Sequence, residues 1–196
     1  MHRAVNDEAL DILFREARTQ NKWQDKSVST ALLMAVYDLM RLGPTSANIS
    51  PARILFVVSD EAKKRLEPYL SEGNRAKTMS APATAIIAYD LEFARHVPKL
   101  FPHAPGAKDW FADPKFAEVA AFRNGTLQGA YFIMAARALG LDCGPMSGFD
   151  NAGVDREFFP EEKIKSNFLC SVGYGDSSGV FARSPRLSFD EACKIL

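Results

Sequence analysis

Two pairs of residues in this chain are suited to holding an anion. Arg18 and Thr19 sit side by side near the start, and Arg183 and Arg186 lie close to the C-terminus. A guanidinium fork matches two phosphate oxygens at once, and a hydroxyl adds a further donor. Between them runs "GPTSANISP" (43–51), with little side-chain bulk and many hydrogen-bonding groups. Such a run either turns the chain or lets backbone come close to a ligand. The other reactive side chains do not assemble. His96 and His103 are separated by a proline-rich stretch and His2 is almost terminal, unlike the short spacings that chelate zinc, so no metal site is expected. "GPMSGF" (144–149) falls short of a G-x-S-x-G nucleophile elbow because proline and methionine precede its serine. Cys143, Cys170 and Cys193 are odd in number and widely spaced, which argues against a disulfide framework and leaves no C-x-x-C site. "VGYGD" (172–176) lacks the third glycine of a dinucleotide fingerprint, because Ser178 stands in its place. The residues alone therefore point to a phosphate-bearing ligand, with no side chain named as catalytic.

Composition bounds the setting of this chemistry. The chain has 196 residues, 47% of them hydrophobic, enough for one folded domain over 1–196. Lys plus Arg equals Asp plus Glu, 24 each, so the basic excess expected of a nucleic-acid binder is missing. The charged start "MHRAVNDEALDILFREAR" has no signal-peptide core, and no stretch is apolar for long enough to span a bilayer. A reducing, cytoplasmic setting is the simplest expectation.

The elements that must position these residues can be read from periodicity. Helices are expected over 7–17, over 29–41 with Ser29 as its cap, and over 60–70 with Asp60 as its cap and Pro68 interrupting the last turn. A long helix is expected over 115–139, with Phe122, Leu127, Ala130, Tyr131, Met134 and Ala138 on its apolar side. Gly125 and Gly129 in this helix permit close helix–helix approach in the core or a dimer interface. "RILFVV" (53–58), "ATAIIAY" (83–89) and "NFLCSVGYG" (167–175) read as buried strands. The stretch 97–114, with Pro98, Pro102, Pro105 and Pro114 among aromatic residues, reads as an irregular excursion, and "SFDEACKIL" as a short helical tail. Few strands among helices give an α+β or α/β domain.

Six blocks occur in an order that resembles the FMN-dependent nitroreductases. They are "ARTQNKW" (17–23), "GPTSANISPARILFVV" (43–58), "GNRAKTMSAPATAIIA" (73–88), "ALGLDCGPMSGFD" (138–150), "VGYGD" (172–176) and "RSPRLSF" (183–189). The wording of "GPTSANISPAR", "GLDCGPMSGFD", "KSNFL" and "GYGDSS" is most similar to the branch that contains the malonic semialdehyde reductase of pyrimidine utilisation. The resemblance implies an α+β fold, a mainly antiparallel central sheet flanked by helices, in an intertwined homodimer with FMN at the subunit interface. It implies that Arg18, Thr19, Asn21, Arg183 and Arg186 serve the FMN phosphate, although Ala17 stands where the family has a further arginine. It implies that Pro44, Thr45, Ser46 and Asn48 meet the flavin ring from the opposite subunit, with Ser50 at a place where the family usually has glutamine. Asn74 and Lys77 match residues near the pyrimidine side of the flavin, and Pro145, Met146, Ser147 and Gly148 match ring contacts near N5.

The activity so implied is a ping-pong NAD(P)H oxidoreductase. NADH or NADPH passes hydride to flavin N5 and leaves, and an acceptor then takes the electrons in the same place. The branch resemblance makes malonic semialdehyde, reduced to 3-hydroxypropanoate, the leading acceptor. The alternatives are a broad nitroreductase or quinone reductase, and a flavin-binding homologue without turnover. Phe101, Trp110 and Phe111 are candidates for the wall or cover of the substrate pocket, against packing beneath a long loop.

Overall fold

The fold is built around β2 (Ala83–Asp90), a strand buried along its whole length. In a computed structural model, which describes residues 3–160 and 163–196, it is flanked by β1 (Ala52–Val57) and β4 (Ile164–Gly173). β3 (Asp142–Met146) follows β4, giving the order β1-β2-β4-β3 with every neighbour antiparallel. Alternation sends Ala83, Ala85 and Ile87 to one face, where they pack with Leu33, Val36, Met40 and Phe132. Ile86 and Ala88 go to the other face, against Leu66, Leu70, Val154 and Leu169. A strand with a core on both sides reads as a continuous apolar run, which is why 83–89 was legible. The run 53–58 differs: β1 has one neighbour only, and its residues are half-buried except Val57.

Helices cover both faces. The first helix, α1 (Asp7–Leu10), widens into a turn over Asp11–Arg15 in which Glu16 N donates to Asp11 O, so helical structure ends two residues before the expected 17. α2 (Thr30–Met40) starts as expected, with Ser29 Oγ accepting from Leu32 N at 3.2 Å. α3 (Asp60–Leu66) is capped by Ser59 rather than Asp60, because the cap must precede the first helical residue. Pro68 then lies in a 3₁₀ turn, Glu67–Tyr69.

α4 (Glu72–Met79) and α7 (Asn151–Phe158) were not anticipated, nor was β3. β3 is short and carries Gly144 and Pro145, which depress strand propensity; the proline is tolerated on an edge strand. The stretch 97–114 is helical rather than irregular. α5 (Val97–Leu100), a 3₁₀ segment (Pro105–Phe111) and α6 (Pro114–Ala138) each hold a proline in the first turn, where its missing N–H costs nothing. The chain closes with α8 (Phe189–Ala192), started by a capping box between Ser188 and Glu191.

α6 reverses the expected orientation. Its buried face carries Ala121, Asn124, Gly125, Gln128, Gly129, Phe132 and Ala136. Phe122 and Leu127, assigned to the apolar side, are exposed, and so is Ala130. The glycines explain the reversal: at these positions the helix settles closely on the sheet. A Cβ on Gly129 would lie 2.5 Å from Phe168 Cζ, and one on Gly125 2.9 Å from Tyr89 Cβ.

Candidate functional site

The "GPTSANISP" loop is held from α6 by polar side chains on its buried face. Asn124 Oδ1 accepts from Ser46 N at 2.9 Å, and Gln128 Oε1 accepts from Ala52 N at 2.9 Å. Tyr131 Oη donates to Pro44 O at 3.0 Å, and its ring lies where a Cβ on Gly43 would stand. Asn48 Nδ2 donates to Leu100 O at 2.8 Å, and Thr45 Oγ1 accepts from Ser50 N at 3.2 Å. Within this frame Ala47, Asn48 and Ser50 take φ values of 46°, 51° and 41°. Left-handed backbone is unfavourable for side chains with a Cβ, and it persists where surrounding contacts over-determine it. The three anchors Asn124, Gln128 and Tyr131 were missed as site residues. The signal was available: an amide at 124 and another at 128 share one face with Gly125 and Gly129.

The N-terminal block reaches its place by adding to the sheet. Thr19 bridges Cys143 on the outer edge of β3, Gln20 N donates to Cys143 O at 3.0 Å, and Trp23 bridges Gly175. The chain after β4 doubles back beside it, with Asp176 N donating to Lys22 O at 3.0 Å. This brings Arg18, Thr19, Asn21, Arg183 and Arg186 to one cavity of about 540 Å³. Arg18 donates to Phe181 O, and Arg183 to Ala17 O at 3.1 Å. Arg137, from the last turn of α6, also lines the cavity and was not anticipated. Among the described residues, four guanidinium groups and no carboxylate line this space, an arrangement that favours an anion.

A second cluster adjoins it through Asn21. Lys77 Nζ donates to Asn21 Oδ1 at 3.4 Å, and Trp23 Nε1 donates to Lys77 O at 2.9 Å. Burial pulls the Lys77 ammonium below its ordinary pKa of 10.5. One turn earlier on α4, Asn74 Nδ2 donates to Gly148 O at 2.8 Å. A Cβ on Gly148 would lie 2.6 Å from that nitrogen, so a side chain there would displace the Asn74 amide from the carbonyl it holds. Ser147 beside it is exposed, Pro145 is half-buried, and Met146 is buried with its sulfur 3.3 Å from Thr78 Oγ1. Through Asn21 the arginine-lined cavity thus adjoins an edge that carries an amide and an ammonium group.

Not every predicted residue joins this line. Pro44, Thr45 and Ser46 border a separate cavity with Arg123, Leu127 and Ala130, and among the described residues they share no hydrogen bond with the arginine cluster. Phe111 is buried, its ring 4.9 Å from that of Phe93, so it anchors the excursion. Trp110 is 61% exposed and meets half-buried Phe101 edge-on at 6.4 Å. Among the described residues no group of three His, Cys, Asp or Glu side chains converges, and no helix is long and apolar enough to cross a membrane. His2 lies outside the described residues.

Comparison with known proteins places this arrangement. A protein of Stenotrophomonas maltophilia (strain K279a), provisionally named an NADH dehydrogenase/NAD(P)H nitroreductase, is 60% identical over 196 residues, covering 100% of both chains. One of the same provisional name from Caulobacter sp. (strain K31) is 57% identical over 188 residues, 96% of each chain. Among solved structures, a protein of Exiguobacterium sibiricum described provisionally as a nitroreductase, in complex with FMN, has the same fold. It superimposes with a TM-score of 0.87 at 17% identity over 100% of both chains. Residues 14–174 match the profile described as "Nitroreductase family", a span that takes in every block from Arg18 to the end of the sheet, and the chain belongs to that family.

Proposed function

We propose that this chain is an FMN-dependent NAD(P)H oxidoreductase that reduces malonic semialdehyde to 3-hydroxypropanoate. The observation that carries the flavin reading is the line from four arginines, with no carboxylate among the described residues, through Asn21 and Lys77, to Asn74 and Gly148. This line fits a ligand with a phosphate at one end and a flat polar-edged ring at the other. When bound, FMN supplies hydride transfer at N5 between a nicotinamide and an acceptor. Arg18, Thr19, Asn21, Arg183 and Arg186 hold the phosphate. Asn74 and Lys77 face the polar edge, where the lysine stabilises negative charge. Pro145 to Gly148 offer backbone to the ring, with Gly148 giving the closest approach.

The loop 43–51 belongs, in this reading, to the flavin site of a second copy. Support comes from what one protomer leaves uncovered. α2 exposes Met34, Tyr37 and Leu39, and α6 exposes Phe116, Val119, Phe122 and Leu127. β1 lacks an outer neighbour, a groove of about 750 Å³ runs beside it, and the tail beyond Gly179 exposes Phe181, Leu187, Phe189, Ile195 and Leu196. An intertwined homodimer buries these surfaces together. It also brings Pro44, Thr45, Ser46 and Asn48 to the partner's ring, and Trp110 and Phe101 to its open face.

The choice of acceptor rests on the branch wording of "GPTSANISPAR" and "GLDCGPMSGFD". A broad nitroreductase or quinone reductase is the second reading, favoured by the names of the 57–60% identical relatives. An anaerobic visible spectrum decides first between turnover and mere binding. Bound flavin is expected to bleach on adding NADH or NADPH and to recover with malonic semialdehyde. Bleached flavin that recovers only with nitroaromatics or quinones removes the proposed acceptor. Flavin that stays oxidised with both nucleotides removes the enzyme.

A further inference from the structure

Positive charge in the arginine cavity comes partly from a place the family blocks do not contain. Ala17 stands where the resemblance puts a further arginine, and Ala17 and Arg137 line the same cavity beside Arg18 and Arg183. Arg137 arrives from the last turn of α6, where the helix dipole favours a cation. Its Nη1 donates to Leu13 O at 2.8 Å, and it has no other side-chain hydrogen bond among the described residues. That bond steadies the guanidinium and leaves Nη2 and Nε as donors.

Carboxylates do not account for the charge. Arg137 and Ala17 also border a smaller cavity with Asp11, Glu16 and Asp142, yet no ion pair joins any of them to Arg137 among the described residues. Asp11 is paired with Arg15, and Asp142 accepts from Gly175 N at 2.9 Å. In the arginine cavity the half-buried guanidinium shares its space with three others, and an anion bound there would offset their like charge.

We propose that Arg137 is a phosphate ligand of the flavin cofactor, supplying from α6 the charge that residue 17 lacks. The proposal rests on the flavin reading and adds a residue to it. Discrimination between FMN and riboflavin tests it, because the two differ only in the phosphate. The flavin-free protein is titrated with each, following quenching of flavin fluorescence. Loss of a charge-assisted hydrogen bond predicts that R137Q, whose amide can still donate to Leu13 O, binds FMN about 10- to 100-fold more weakly. Its riboflavin affinity is expected to stay unchanged. R137K, which keeps the charge, is expected to retain most of the preference for FMN. R137Q binding FMN as tightly as wild type overturns the role of Arg137, as does parallel weakening of both flavins. Wild-type protein that binds neither flavin overturns the flavin reading itself.

Discussion

Lys77 carries opposing demands. Its ammonium is half-buried, with Asn21 as its hydrogen-bond partner at 3.4 Å, and burial lowers its pKa. With the folded value below the unfolded one, charging Lys77 disfavours the fold. Its contribution to stability therefore improves as pH rises through the folded value towards 10.5, and at neutral pH the cost stands. The same charge favours an electron-rich ligand. Lys77→Met is therefore expected to raise the melting temperature of the flavin-free protein slightly. It is also expected to lower the two-electron midpoint potential of bound FMN, by on the order of 30 mV for a tenfold loss of preference for the reduced form. Calorimetry and a redox titration read the two effects, and a potential that does not fall would remove Lys77 from the flavin's neighbourhood. The site residues differ in how well the sequence displayed them. Arg18, Thr19, Asn74 and Lys77 lay in blocks of fixed spacing, whereas Arg137 lay in the long helix outside those blocks. Only the meeting of α6 with the chain before β1 gives Arg137 its meaning.

α6 works at the scale of elements. It packs Gly125 and Gly129 on the sheet and turns Asn124 and Gln128 towards the loop before β1. Gly129→Leu is expected to destabilise the protein by about 3 kcal/mol or to prevent folding, because Phe168 and Ile87 occupy the added volume. Denaturant unfolding measures this. Asn124→Ala leaves Ser46 N without its acceptor and is expected to cost about 1–3 kcal/mol. If the loop serves the flavin, that substitution also weakens FMN binding although Asn124 lies outside the family blocks. FMN affinity equal to wild type would separate the loop's order from cofactor binding. The long helix itself was legible from its length and Gly140, but its inward face was not. A hydrophobic count assigns the bulky side chains inward, and here the sheet accepts only small residues at close approach.

The whole molecule leaves apolar surface on α2, α6 and the tail that a second copy would cover. Leu39, 45% exposed on α2 and outside every proposed flavin contact, provides a test. Leu39→Glu is expected to shift the protein from dimer to monomer in light scattering, with bound FMN lost in the same proportion. A monomer that keeps a full complement of FMN would show that one chain completes the site. In the proposed dimer a second copy covers Leu39, and also Leu127, which the helical period assigns to the apolar side and one protomer leaves exposed.

The sequence by itself narrowed the class to α+β or α/β and determined the helix start marked by Ser29, the stop after α6 and the doubly buried strand β2, because these depend on local capping and on period-two or period-3.6 patterning. The resemblance of its blocks supplied the family and the expectation that its arginines serve the FMN phosphate. Only the tertiary structure decided that β1 is an edge and that β3 exists despite Gly144 and Pro145. It alone showed that α6 faces inward with glycines and amides, and that Arg137 completes the arginine cluster. Each of these depends on which surfaces meet, and contact between segments far apart in sequence leaves no period in the chain.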